Sequence, residues 1–189
     1  LFELKLSQLS RAKGFDEIIV SSEEDAILSM AKENGFGTHE RDPKYSTSDI
    51  PMSDVYSYIA SEIQGESIAW INVTNPLAGA DCYSKAVEIY RKMDEAHDSL
   101  LSVSEVQDYL FYHGRPINFK SKPWEKSQNL TGVVEMTFVI NILKRQKMVE
   151  WGSCVGTTPY FYHLSKLESW DIDFQEDFDF CEMMHSKIK

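Results

Sequence analysis

The chain has 189 residues, 42% of them hydrophobic, and can bury one sizeable core, which predicts a single domain over residues 1–189. Its 30 acidic residues exceed its 19 basic residues and give a formal net charge of -11. Because nucleic acids and anionic membranes attract basic surfaces, this charge argues against nonspecific binding to either.

The first 35 residues predict a helix, a strand and a second helix. Leucines recur at roughly helical spacing over residues 1–9, and Gly14 follows where a helix would end. The unbroken β-branched run at 18–20 is typical of a strand covered on both faces, and the acidic residues after it are typical of a helix start. A helix that ends at Gly35 completes a slice of an alternating α/β fold.

The same alternation continues to residue 103. It predicts a helix over 54–63, a strand over 68–73, a helix over 81–96 with Asp81 as its N-cap, and a strand over 99–103. Strands separated by helices of this length favour a parallel sheet. Such sheets bind ligands at the carboxyl ends of their strands, so we expect the loops after Val20 and Val73 to bind ligand.

The alternation fails over residues 104–129, a polar and aromatic stretch. Because this stretch keeps aromatic side chains that need a packing partner, we interpret it as an inserted hairpin or arm rather than a linker. Regular structure then resumes, with a strand predicted over 133–140, a short helix over 141–148, a strand over 160–163 and a final helix over 175–188.

The three cysteines are odd in number and widely spaced, and they lack the CxxC pairing of zinc or redox sites. We interpret Cys82, Cys154 and Cys181 as reduced thiols of a cytoplasmic protein. No apolar run approaches the roughly 20 residues that a membrane span needs, and no cationic segment leads into an apolar one as in a signal peptide. The sequence therefore predicts a soluble protein that is not exported.

Two carboxylates, Asp171 and Asp173, flank one apolar residue just before the final helix. On an extended segment, side chains at i and i+2 point to the same side. This arrangement suits Mg²⁺, which proteins hold through one or two carboxylates together with substrate phosphates. The alternative is a helix N-terminus whose acidic residues only stabilise the helix dipole.

Two polar loops carry candidate ligand-binding side chains. Asn72 and Thr74 lie at the end of a buried strand that stops at Pro76, where amides and hydroxyls can bind the hydroxyls of a sugar. An Asx or ST turn that satisfies its own backbone explains them equally well. Arg41 offers one cation on the loop at 40–49, which a solvated turn also explains.

Several catalytic sequence patterns do not occur. The five histidines form no HxxxH or HExxH pattern, which argues against a zinc site. No GxSxG pattern or cysteine signature supports covalent catalysis. Neither GxGxxG nor GxxxxGKS/T occurs, so we expect a nucleotide-binding loop either upstream of Leu1 or built without these motifs.

Taken in order, several segments resemble the acylneuraminate cytidylyltransferase family, whose members join a nonulosonic acid such as sialic acid to CMP. The stretch at 15–22, Phe-Asp-Glu-Ile-Ile-Val-Ser-Ser, resembles the family's strand that ends in Val-Ser-Thr-Asp. Residues 71–76 resemble its Leu-Gln-Pro-Thr-Ser-Pro segment, and residues 98–100 resemble its Asp-Ser-Val strand. The most specific match is 169–178, which resembles Ser-x-Asp-Ile-Asp-x-x-x-Asp-Phe.

The resemblance implies a Rossmann-like three-layer α/β/α nucleotidyltransferase fold with a mainly parallel sheet, in which the arm at about 104–129 forms a homodimer. It implies that Asp171 and Asp173 bind Mg²⁺ at the catalytic centre. It also implies a set of substrate contacts, with Asn72, Thr74, Lys126 and Gln128 facing the sugar acid, and Ser53 and Arg41 facing the nucleotide.

The chain departs from the family pattern in individual residues and in one missing loop. Asn72 has a shorter amide than the family's glutamine, and Asp42 separates Arg41 from the proline of an Arg-Pro pair. These differences bear on the identity of the sugar acid more than on the reaction. The family's Ala-Arg-Gly-Gly-Ser-Lys loop, which carries the triphosphate, does not occur either, and we expect residues upstream of Leu1 to supply it.

The sequence therefore predicts a Mg²⁺-dependent enzyme in which a hydroxyl of a sugar acid attacks the α-phosphate of CTP and pyrophosphate leaves. Two alternatives stay open. One is a binding module of the same fold that recognises a nucleotide or sugar without turnover. The other is a nucleotidyltransferase that uses another base or a sugar phosphate.

Overall fold

The computed structural model of the protein describes residues 1–120 and 122–188. The helices are α1 (Phe2–Leu9), α2 (Asp25–Glu33), α3 (Met52–Glu62), α4 (Ala80–Lys92), α5 (Arg145–Trp151) and α6 (Gln175–Ile188). The strands are β1 (Ile19–Ser22), β2 (Gly37–Glu40), β3 (Ser67–Trp70), β4 (Ser99–Glu105), β5 (Phe111–Tyr112), β6 (Arg115–Pro116), β7 (Val134–Lys144) and β8 (Pro159–Leu164). Across these two ranges, no helix is both long enough and apolar enough to cross a bilayer.

The strands form two main pieces of sheet. β3, β7, β4 and β8 lie side by side in that order, and β1 and β2 form a separate parallel pair. β7 is antiparallel to both of its neighbours, whereas β4 and β8 are parallel. β3, β4 and β8 therefore share one direction, and the predicted α/β fold with a mainly parallel sheet is confirmed.

Helices cover both faces of the four-stranded sheet. On one face, Leu9 of α1 and Tyr83 of α4 pack in a buried cluster with Ile142 of β7. On the other face, Tyr56 of α3 packs in a second cluster with Leu143 of β7, and α5 adds a methionine to it. Neighbouring residues of β7 thus serve opposite cores, because successive side chains of a strand point to opposite faces. The molecule has the three layers that the sequence predicts.

β7 is longer than predicted. The expected strand over 133–140 and helix over 141–148 are replaced by a strand that runs to Lys144 and a helix that begins at Arg145. The predicted boundary is wrong because Asn141, a polar residue in an apolar run, continues the strand. Its side chain is fully buried, and its Oδ1 accepts a hydrogen bond from the Ser102 N–H at 3.1 Å.

β4 and β7 shift register between Leu101 and Val103. At this bulge the buried hydroxyl of Ser102 donates to Thr137 O at 2.9 Å and accepts from the Ile140 N–H at 3.2 Å. Both partners are main-chain groups of β7. One side chain therefore replaces ladder hydrogen bonds that the bulge interrupts.

Several local details of the first half differ from the prediction: β3 ends at Trp70 and α4 ends at Lys92, whereas the predicted strand and helix run to residues 73 and 96. α4 begins at Ala80 with Gly79 as its N-cap, so Asp81 lies in the first turn, where its charge still favours the helix dipole. β2 was not predicted, because its sequence, Gly-Thr-His-Glu, contains no apolar alternation.

The arm predicted over 104–129 starts as β4 ends and contains the β5–β6 hairpin. Tyr109 packs against Phe119 and Trp124, with ring centroids 5.1 and 4.9 Å away. On the hairpin, Phe111 and Tyr112 are 63% and 67% exposed. Phe111 also packs against Phe119, with ring centroids 5.2 Å apart, so the arm has one small aromatic cluster whose outer side chains face solvent.

Candidate functional site

A cavity of about 1580 Å³ lies along β1 and β3. Its lining includes residues 18–22 of the first strand and residues 67–74 of the third strand and the loop that follows. Arg41, Asn72 and Thr74 line it at the carboxyl ends of these strands. The two loops that the sequence predicts to bind ligand therefore border one cavity.

Asn72 takes part in the loop's own hydrogen bonding. Its Oδ1 accepts from Trp70 Nε1 at 3.1 Å, and its main-chain N–H donates to Phe138 O at 3.3 Å. The first contact occupies the amide oxygen and leaves the N–H groups of the amide as the donors that Asn72 can offer to a ligand. The side chain of Asn72 is therefore fixed in place with its N–H groups available to a ligand.

Two polar residues of α1 hold the loop after Asn72 from the buried side. Lys5 Nζ donates to Asn75 O at 2.9 Å and to the hydroxyl of Tyr83, and Gln8 Nε2 donates to Pro76 O at 2.6 Å. Burial lowers the pKa of the Lys5 ammonium to about 8.

Neither Lys5 nor Gln8 is among the site residues that the sequence predicts. The sequence does contain a signal for Lys5, because position 5 belongs to the apolar stripe that Phe2, Leu6 and Leu9 form on α1. A lysine in such a stripe either lies at the edge of the buried face or is buried together with a hydrogen-bonding partner.

The acidic segment before α6 is joined to the same loop. The Ile172 N–H donates to Thr74 O at 3.0 Å, and Asn75 Nδ2 donates to Trp170 O at 3.2 Å. Asp171 lies between these two contacts in the chain. The structure therefore brings the predicted sugar-binding loop and the predicted metal-binding segment to one edge of the sheet.

Asp171 and Asp173 line one pocket of about 490 Å³, together with Glu135 and Lys166. Asp171 is half-buried and Asp173 is exposed. In the part of the chain that the structure describes, no three His, Cys, Asp or Glu side chains are grouped closely enough to hold a metal ion. Two carboxylate groups in one pocket nevertheless fit Mg²⁺, which is usually held by one or two carboxylates plus substrate phosphates.

Asp177 caps the N-terminus of α6. Its Oδ2 accepts from the main-chain N–H groups of Asp173 and Phe174 at 3.2 and 3.0 Å. An acidic side chain in the first turn that reaches back to the start of the helix is half of a capping box. The side chain of Asp173 is therefore not needed as the N-terminal cap of α6.

Arg41 forms an ion pair with Glu23 across the end of β1. Its Nη2 lies 2.6 Å from Glu23 Oε2, and the two side chains are 23% and 29% exposed. This hydrogen bond, with a second one from Ser46, lowers the pKa of the Glu23 carboxyl to about 2. Arg41 Nε is buried and has no hydrogen-bond partner among the described residues, although Arg41 as a whole lines the cavity.

Three of the predicted residues lie outside the cavity and the pocket. Ser53 is exposed at the start of α3, and its hydroxyl donates to Asp54 Oδ1 at 3.3 Å. Lys126 and Gln128 are exposed at a short 3₁₀ turn of the arm, where Gln128 O accepts from Gln107 Nε2 at 3.3 Å. None of the three lines either space.

The structure is similar to solved cytidylyltransferases. CMP:2-keto-3-deoxy-manno-octonic acid synthetase, solved in complex with CTP, superposes with a TM-score of 0.69 at 8% identity, over 100% of this chain and 88% of that one. A cytidylyltransferase from Leptospira borgpetersenii gives 0.60 at 15% identity, over 98% and 75% of the two chains. For 2-C-methyl-D-erythritol 4-phosphate cytidylyltransferase from Thermus thermophilus the values are 0.59 at 10% identity, over 97% and 88%.

The chain has the cytidylyltransferase fold. No family model matches its sequence. At identities of 8 to 15%, the superpositions establish the architecture alone, and the chemistry has to be argued from the site. The fold places the carboxyl ends of β1 and β3, with Arg41, Asn72 and Thr74, where sheets of this type bind ligands.

Proposed function

We propose that this protein is a cytidylyltransferase that joins CMP from CTP to a nonulosonic, sialic-acid-like sugar acid with release of pyrophosphate. The observation that carries the proposal is the hydrogen bond between Ile172 N–H and Thr74 O, which joins the acidic segment to the loop that bears Asn72. The fold supports it, because proteins with this fold include a CMP-sugar-acid synthetase solved with CTP.

In this reaction a bond forms between a sugar oxygen and the α-phosphorus, and the bond from the α-phosphorus to the pyrophosphate oxygen breaks. The hydroxyl proton passes to solvent. Transfer of this kind depends on positioning and charge neutralisation more than on acid–base chemistry. Mg²⁺ held by Asp171 and Asp173 together with the substrate phosphates would neutralise the developing charge.

The remaining residues have roles of position and recognition. Asn72 and Thr74 orient the sugar acid through their amide and hydroxyl groups, and Arg41 faces the nucleotide. Ser53 reads the base if the start of α3 shifts toward the cavity. Two arm residues, Lys126 and Gln128, reach the sugar acid if the arm closes over the site or extends to that of a partner subunit.

The proposal includes an assembly and a location. The arm, with its exposed Phe111 and Tyr112, forms a homodimer. The cysteines Cys82, Cys154 and Cys181 are free and buried in the structure, in keeping with a cytoplasmic protein with reduced thiols.

The direct test is pyrophosphate release by the complete encoded protein with CTP, Mg²⁺ and a panel of nonulosonic acids. We expect release with one of the acids and a loss of at least ~100-fold in Asp173→Ala, on the order of what one transition-state charge contact contributes. Glu176→Ala is the matched control, since it removes one exposed carboxylate from the start of the same helix without altering the pocket lining. No release with any acid, or equal loss in both variants, would contradict the proposal.

A second candidate activity is the transfer of a nucleotide to a sugar phosphate. The fold is shared with 2-C-methyl-D-erythritol 4-phosphate cytidylyltransferase, and the short amide of Asn72 departs from the sialic-acid pattern. Crossing a panel of the four nucleoside triphosphates with sugar acids and sugar phosphates separates the two activities. CTP binding by calorimetry, without turnover of any pair, would instead indicate a module that has lost catalysis.

A further inference from the structure

Asn75 is a fully buried polar residue in the loop after β3, and the proposed reaction gives it no role. It lines neither the cavity along β1 and β3 nor the pocket of the acidic pair. Its main-chain carbonyl accepts from Lys5 Nζ at 2.9 Å, and that of the next residue, Pro76, accepts from Gln8 Nε2 at 2.6 Å. The backbone at position 75 is therefore held firmly by α1.

The side-chain amide of Asn75 is oriented by a carbonyl of the acidic segment. Its Nδ2 donates to Trp170 O at 3.2 Å, whereas its Oδ1 is buried and has no hydrogen-bond partner among the described residues. The reverse orientation would place Oδ1 against the Trp170 carbonyl, so the donor has to face Trp170. An unpartnered buried acceptor costs free energy of folding. This cost indicates that the amide does more than stabilise the fold.

Two hydrogen bonds from the loop hold the peptide groups that flank Asp171. Trp170 O, which Asn75 binds, belongs to the peptide group before Asp171. The peptide group after it contains the Ile172 N–H, which donates to Thr74 O at 3.0 Å. Because peptide groups are planar, the only backbone freedom between these two is φ and ψ of Asp171. With both groups held, the direction in which the Asp171 side chain leaves the backbone is fixed.

The carboxylate of Asp171 is restrained as well. Its Oδ1 accepts from the Ile172 N–H at 3.2 Å, which leaves Oδ2 for a ligand. Asp171 is half-buried and lines the same pocket as Asp173. The loop thus presents a carboxylate of defined position to the pocket.

Trp170 extends the same restraint to Asp173. Its Nε1 donates to Asp177 Oδ1 at 3.3 Å, and its ring packs against Phe180 of α6 with centroids 4.2 Å apart. The other carboxylate oxygen of Asp177 accepts from the Asp173 N–H at 3.2 Å. A connected set of hydrogen bonds therefore runs from Asn75 through Trp170 to the backbone of both acidic residues.

We propose that Asn75 is a positioning residue whose side-chain amide, through Trp170, sets the direction in which Asp171 presents its carboxylate to Mg²⁺. This inference rests on the proposed function, in which Asp171 and Asp173 bind the ion together with substrate phosphates. Removing a hydrogen bond that orients a metal-binding group lowers metal affinity roughly 10- to 100-fold. Asn75 itself touches neither the ion nor the reacting atoms.

Asn75→Leu and Gln8→Met form a matched pair of variants. Each removes a buried amide that donates to a carbonyl and whose oxygen is unpartnered among the described residues. The hydrogen bond of Asn75 ends on Trp170, next to Asp171, whereas that of Gln8 ends on Pro76 and does not reach the acidic segment. Their effects on the free energy of unfolding, measured by urea denaturation, should be similar.

The first measurement is Mn²⁺ binding to the complete encoded protein, followed by electron paramagnetic resonance without nucleotide or sugar acid, so that no turnover occurs. We expect Asn75→Leu to raise the Kd for Mn²⁺ about tenfold or more and Gln8→Met to change it less than about twofold. Asn75→Ala removes the same donor without adding volume. It takes the place of Asn75→Leu in every comparison if the core does not accommodate leucine.

The second measurement separates positioning from loss of folded protein. In the pyrophosphate assay, Asn75→Leu should raise the Mg²⁺ concentration for half-maximal rate about tenfold, while the KM for the sugar acid changes little. A purely structural role would instead lower the rate by the same factor at every Mg²⁺ concentration, and that result would overturn the proposal.

Asp171→Ala distinguishes failure of this inference from failure of the proposed function. If Asp171→Ala and the wild type do not differ in Mn²⁺ binding, the acidic pair is not the metal site, and both proposals fall. If Asp171→Ala weakens Mn²⁺ binding and Asn75→Leu does not, or if Gln8→Met weakens it as much as Asn75→Leu does, only the role of Asn75 is overturned.

Discussion

The main-chain amide of Ile172 donates a hydrogen bond to the main-chain carbonyl of Thr74 at 3.0 Å. Because the contact joins backbone to backbone, it does not depend on the side chain at either position. Asp171 Oδ1 also accepts from the Ile172 N–H, at 3.2 Å, whereas the side chain of Thr74 can change without separating the loop from the acidic segment. Substitutions of Thr74 report on ligand contacts rather than on the fold.

Lys5→Met tests the buried lysine of α1. With a pKa of about 8 in the folded protein against 10.5 ordinarily, Lys5 is charged in both the folded and unfolded states below pH 8. Between pH 8 and 10.5 the unfolded chain retains a proton that the folded protein has lost, so the free energy of unfolding rises with pH, by about 3 kcal/mol over the whole range.

Urea denaturation below, within and above this range measures the effect. We expect the stability of the wild type relative to Lys5→Met to rise across it, since methionine removes the titrating group. Lys32→Met, at an exposed position of α2, should show no such change. A difference between wild type and Lys5→Met that stays constant with pH would refute the assignment.

Asn72→Ala tests the amide at the end of β3. Losing one hydrogen bond to a bound sugar acid should raise the KM for that substrate roughly tenfold, the equivalent of about 1.4 kcal/mol, while the KM for CTP changes little. Trp70→Phe is the control, because it removes the 3.1 Å hydrogen bond to Asn72 Oδ1 and keeps the amide. If both variants raise the KM equally, Asn72 acts only through the shape of the loop.

Gly156→Ala tests the turn before β8. Asp98 accepts from the N–H groups of Thr157 and Thr158 at 2.8 and 3.1 Å, and a Cβ at position 156 would collide with Asp98 Oδ1 and stand 2.5 Å from Ser99 Oγ. We expect a loss of about 1–3 kcal/mol in the free energy of unfolding, measured by urea denaturation.

Gly79→Ala is the matched control for this substitution, because no atom lies within 4 Å of the added carbon. Its cost should stay below about 1 kcal/mol, the scale of an N-cap change from glycine to alanine. Similar losses in the free energy of unfolding of the two variants would mean that the turn around Asp98 rearranges to accommodate the extra carbon.

A double variant, Phe111→Ser with Tyr112→Ser, tests the proposed homodimer. These side chains are 63% and 67% exposed on the hairpin, and removal of both should convert a dimer to a monomer in light scattering. Met183→Ser, 48% exposed on α6, should leave the assembly unchanged. A wild-type protein that is monomeric at micromolar concentration would exclude the dimer itself.

Sequence reasoning locates the final helix and the strand before it well. The predicted helix over 175–188 matches α6 at both ends, and the predicted strand over 160–163 lies within β8. In both cases the signal is local, since an acidic first turn starts the helix and an unbroken aromatic run forms the strand.

The buried polar contacts could not be predicted in the same way. Lys5 and Gln8 are buried because carbonyl groups of Asn75 and Pro76, far away in the chain, accept their hydrogen bonds. Local periodicity contains no information about such partners. The acidic pair was located by its spacing, but the capping role of Asp177, which leaves Asp173 free of it, follows only from the geometry.

The register shift between β4 and β7 divides β7 into two halves with different tasks. Glu135 and Met136, on one side of the shift that Ser102 bridges, line the pocket that holds the acidic pair. Residues 142 and 143, on the other side, belong to the two cores. Because the hydroxyl of Ser102 absorbs the mismatch between the halves, the pocket wall can evolve toward a different substrate while the core retains its alignment.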